Sequence, residues 1–131
     1  MNPVLLIPAY LLVLLLTNCK PTLLTQSGNK SEQIVIDRIG ASYQRYPNPT
    51  NEYVLFVQDR DETQALHERK FLLIEMNTGR LVMEDTFTRG HVKWVSGYII
   101  EISRLPGIVR EDEDTADYLQ HVDVRTQKQQ Q

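Results

Sequence analysis

The chain has 131 residues, a formal net charge of −3 and a single cysteine. At 41% apolar and 24% charged residues it has the composition of one folded domain, neither disordered nor strongly charged. One cysteine excludes a disulfide framework and a multi-cysteine zinc site, and the mild acidity gives no footprint for nucleic acid.

The charges are unevenly placed. No Lys, Arg, Asp or Glu occurs before Lys20, and an apolar run extends from Val4 to Leu16. As a helix that run would be about 20 Å long, shorter than the ~30 Å bilayer core, which suits the apolar region of a signal peptide over residues 1–18. Leu16-Thr17-Asn18-Cys19 follows it directly. This tetrad resembles the lipobox of bacterial lipoproteins, although Asn18 stands where that family has Gly, Ala or Ser and no basic residue precedes the apolar run. The resemblance implies diacylglycerol on the Cys19 thiol, cleavage before it and a membrane anchor of more than one acyl chain. Lys20, where lipoproteins kept at the inner membrane often carry Asp, directs the expectation to the outer membrane, facing the periplasm. Residues 19–31 then read as the lipidated cysteine and a polar, flexible tether with a reach near 20 Å.

A β-domain is expected over 32–126. Gln33 to Ile39 alternates partly and stops at Gly40, and Tyr53 to Val57 is a continuous apolar run rich in β-formers. Phe71 to Met76, the turn Asn77-Thr78-Gly79-Arg80 and Leu81 to Phe87 predict a hairpin. Its second strand should place Leu81, Met83 and Phe87 on one face and Val82, Glu84 and Thr86 on the other. His91 to Ser96 and Tyr98 to Ser103 flank Gly97 as a second pair, with Val92 and Trp94 facing together and Tyr98, Ile100 and Ile102 facing together. Leu105-Pro106-Gly107 ends that strand, Tyr118 to Val124 forms the last one, and residues 127–131 should fray. With no long amphipathic helix, the fold expected is all-β: an antiparallel meander of six to seven strands forming a small sandwich or partial barrel. The segments from Phe71 to Val82 and Lys93 to Val95 look like pieces of β-propeller blades, but the chain is too short to close a propeller.

Chemistry-bearing motifs are sparse. His67, His91 and His121 lack metal-ligand spacing, though His91 and His121 would meet if their strands were neighbours. Glu111-Asp112-Glu113-Asp114 lacks the alternation and glycine of a calcium loop, and Asp59-Arg60-Asp61-Glu62 reads as a polar connection. There is no nucleophile elbow and no phosphate loop, so neither an enzyme nor a cofactor is expected. Tyr43-Gln44-Arg45-Tyr46-Pro47-Asn48-Pro49 reads as a loop, and its Tyr43, Arg45 and Tyr46 are the first choice for contact with a protein partner. A periplasmic binder of a small ligand or metal ion, using the histidines or the acidic run, is the alternative.

Overall fold

The computed structural model describes residues 24–64, 66–108 and 110–130. Within them an α-helix, α1 (Leu24–Ile39), precedes eight strands: β1 (Tyr43–Pro47), β2 (Tyr53–Gln58), β3 (Arg69–Glu75), β4 (Arg80–Phe87), β5 (Gly90–Trp94), β6 (Ile99–Arg104), β7 (Leu119–Asp123) and β8 (Lys128–Gln130). Two four-stranded sheets, β1-β2-β3-β4 and β5-β6-β7-β8, are antiparallel and ordered as in the chain. The architecture is therefore strand-dominated and antiparallel, an open sandwich without barrel closure.

The sheets share one core. Leu55 and Val57 of β2, Phe71 and Leu73 of β3 and Phe87 of β4 meet Val92, Ile100, Ile102 and Val122 of the second sheet. The outer face of the first sheet is covered by α1, where Val35 and Ile39 pack against Val54, Phe56, Leu72 and Ile74. Strands β2 and β3 are thus covered on both faces, which is why their sequences run apolar without alternating.

The helix corrects two expectations: Gln33 to Ile39 is not a strand, and residues 24–31 are helical rather than a loose tether. Ser31, Ile34, Val35 and Ile39 recur at helical spacing toward the sheet, and buried Ser31 takes a place that an apolar residue would have advertised. Gly40 ends the helix at φ 86°, its N–H bonding to the Ile36 carbonyl at 2.9 Å. The Ile39 carbonyl accepts the Gln58 side-chain amide at 3.0 Å.

Three smaller corrections concern strands. Tyr43 to Pro47 is an edge strand rather than a loop, paired along its length with β2. In the β3–β4 hairpin, Leu73 lies opposite Met83 but Ile74 opposite Leu81, so Val82 is bulged. The extra residue turns Leu81 onto the helix side and Val82 into the inter-sheet core, separating Leu81 from Met83 and Phe87. At the carboxyl end, Lys128–Gln130 pairs with His121–Asp123 instead of fraying. The Gln127 side chain ties the preceding turn to the Val82 carbonyl at 3.1 Å.

Candidate functional site: a groove between two sheet edges

Strands β1 and β5 each have a strand neighbour on one side only. Their other sides meet in a groove of about 430 Å3 lined by Arg45, Tyr46 and Pro47 from β1 and by Val92, Lys93 and Trp94 from β5. The Trp94 indole N–H donates to the Tyr46 carbonyl at 2.8 Å and fixes the distance between the edges. Below this contact, buried Asn48 clamps two turns together: its Oδ1 accepts the Tyr53 N–H at 3.0 Å, and its Nδ2 donates to the Gly97 carbonyl at 2.9 Å and to Thr50 Oγ1 at 3.0 Å.

Of the three residues expected at a partner contact, the structure brings Arg45 and Tyr46 to the groove. Tyr46 lies opposite Leu55 and so projects toward the second sheet, yet it remains 46% exposed. Tyr43 goes elsewhere: it packs with the helix-side core, edge-on to Phe56 at 5.6 Å between ring centres. Burial, followed by the carboxylate of Glu32, pushes its phenol upward in pKa. Cys19 lies outside the described residues. Val92, Lys93 and Trp94 were legible as a strand but not as a wall, because only the tertiary fold sets β5 beside β1.

On the outward face of the second sheet, Lys93 of β5 is opposite Glu101 of β6, which is opposite His121 of β7. His91 and His121 donate through Nε2 to the two Glu101 carboxylate oxygens, at 2.7 and 3.0 Å, and the Lys93 ammonium stands 3.3 Å away. The hydrogen bond from His91, then that from His121, holds the Glu101 carboxyl down at about 2, outweighing the opposing effect of burial. The two histidines are therefore brought into one cluster through the carboxylate between them. Among the described residues, no group of three or more His, Cys, Asp or Glu is disposed to hold a metal ion.

The remaining acidic segments act locally. Asp59 accepts from Ser42 Oγ and the Gln44 amide, and Asp61 from the N–H and hydroxyl of Thr63. Glu113 accepts from the Tyr118 hydroxyl, and Asp114 caps the short 3-10 turn Thr115–Tyr118 through the Ala116 N–H. These carboxylates hold turns and do not converge on a common point. No helix among the described residues is long and apolar enough to cross a membrane. No protein-family model matches the chain, and neither a curated protein nor a solved structure shows significant similarity to it.

Proposed function

We propose that this is a lipid-anchored protein of the bacterial cell envelope whose β-domain binds another protein near the membrane, without catalysis. The observation that carries the binding half is the groove, where a Tyr, a Trp and two basic residues stand between two strand edges. The anchoring half rests on the sequence pattern ending at Cys19, with the outer membrane as the proposed address.

A paired experiment in intact cells tests both halves. A photo-crosslinking residue in place of Tyr46 is expected to trap a discrete protein partner, whereas the same residue at Ile108, 84% exposed and outside the groove, traps none. Equal trapping at both positions overturns the site. In parallel, Cys19→Ala should abolish incorporation of a fatty-acid analogue and release the protein from membranes; a variant that still carries the label ends the anchoring proposal.

A further inference from the structure

We infer that the groove receives an extended segment of the partner chain as an added antiparallel strand on β5, apolar side chains turned inward and an acidic side chain beside Lys93. The inference rests on the protein-binding reading above and specifies the partner's chemistry.

Two hydrogen bonds fix which backbone groups of β5 are unused. Val95 N–H bonds to the Ile99 carbonyl and Leu105 N–H to the Arg89 carbonyl, so the antiparallel ladder turns residues 89, 91, 93 and 95 toward β6. The N–H and C=O groups of Val92 and Trp94 consequently point away from β6, along the groove. On β1 the bonds from Asn48 N–H to the Tyr53 carbonyl and from Asp59 N–H to the Ser42 carbonyl likewise turn the backbone groups of Tyr43, Arg45 and Pro47 away from β2. Pro47 has no N–H, so the β1 edge is interrupted where it faces Trp94. Along β5 the donors and acceptors at the groove run on through Val92 and Trp94 without a proline, the arrangement on which strand addition depends.

The side-chain period then defines the occupant. Residues opposite Val92 and Trp94 would face inward, against the exposed ring of Tyr46 and the indole, whereas the residue between them would lie beside Lys93. A carboxylate there complements Lys93, whose ammonium stands on the outward face of the second sheet. Glu101 already holds Lys93 at 3.3 Å, but both of its oxygens retain shorter bonds to His91 and His121 if the ammonium turns to a new partner. A second copy of this chain is disfavoured as the occupant, because two β5 edges paired about a two-fold axis at position 93 would set Lys93 against Lys93.

Trp94 is the chain's only tryptophan, so its fluorescence reports on the groove directly. Full-length protein in detergent micelles is titrated with a capped five-residue peptide of alternating valine and glutamate, its lysine counterpart, and the glutamate peptide N-methylated at every valine. The glutamate peptide should bind about tenfold or more tightly than the lysine peptide. Lys93→Glu should invert that order, the milder Lys93→Gln should level it, and N-methylation should abolish binding by removing the backbone donors aimed at β5. Failure of the glutamate peptide to bind, equal binding of the two charges, or binding that survives N-methylation each overturns strand addition. A Tyr46 crosslink that persists while the peptide fails leaves the partner reading intact; a missing crosslink beside successful peptide binding overturns that reading alone.

Discussion

Asn48 shows how much one side chain can carry when it is both buried and polar. Its amide makes three hydrogen bonds and is 2% exposed, so Asn48→Ala strands the Tyr53 N–H and the Gly97 carbonyl while leaving a small void. The expected loss is about 2–3 kcal/mol, measured as a shift of the urea midpoint. Gly90 is constrained by space instead. At φ 113°, a Cβ on it would meet the Ser103 carbonyl oxygen at 2.1 Å, so Gly90→Ala must displace the β5–β6 ladder. The cost should be on the order of 3 kcal/mol in the same assay. Neither role could be read from the chain: Asn48 sits among turn-formers, and Gly90 looks like an ordinary strand boundary. Arg45 and Tyr46, singled out by type, line the groove, whereas Tyr43, equally suitable by type, is claimed by the helix-side core.

At the scale of elements, the hairpins and their order followed from turn residues and apolar runs, and the helix did not. The reason is physical. Its inward stripe has Ser31 at one position, and its first turns contain Gly28, which weakens a helix by about 1 kcal/mol relative to Ala. Yet the unbroken apolar runs of β2 and β3 already demanded cover on two faces, and one sandwich core supplies only one. α1 meets that demand, and the Arg38–Glu84 ion pair and the Gln33–Asp37 hydrogen bond dress its exposed side. Ile39→Ala should accordingly cost about 2–5 kcal/mol. A chain starting at residue 31 retains the packing face and should give a dispersed amide spectrum; one starting at residue 41 bares Val54, Phe56, Leu72 and Ile74 and should aggregate on size-exclusion chromatography. A soluble, well-dispersed chain from residue 41 would mean that the helix is dispensable.

For the molecule as a whole, two carboxylates outside the core contribute most to the response to acid, beside smaller contributions from Glu52, Asp59, Asp61 and Glu75. Glu101, held by His91, His121 and Lys93, and Asp123, held by the Arg125 side chain and backbone, are both drawn down to about 2. Depression in the folded state means that their contribution is fully present above the usual carboxylate range, from about pH 4.5 upward, and fades as pH falls toward 2. Urea midpoints should therefore hold steady down to about pH 4.5 and then decline, and the decline should be shallower in Glu101→Gln. An identical acid limb in that variant would remove Glu101 from the explanation. In the linear sequence His91 and His121 could be expected to meet only as residues of neighbouring strands; β6 lies between β5 and β7, and its Glu101, ten and twenty positions away, joins them.

The direction in which α1 runs has an orientational consequence. Ser31 lies against Gly79, the glycine of the β3–β4 turn, where a Cβ would come within 3.4 Å of the Ser31 hydroxyl, and Ile39 ends beside Gln58 at the opposite end of the sheet. The seven helical residues before Ser31 therefore extend about 10 Å past the turns at 48–52, 77–79 and 95–98. With an anchor at Cys19, as proposed, α1 works as a strut in place of a rope. The turn end of the sandwich would then be the end nearest the anchor, and β5, which ends at that turn side, would run away from it.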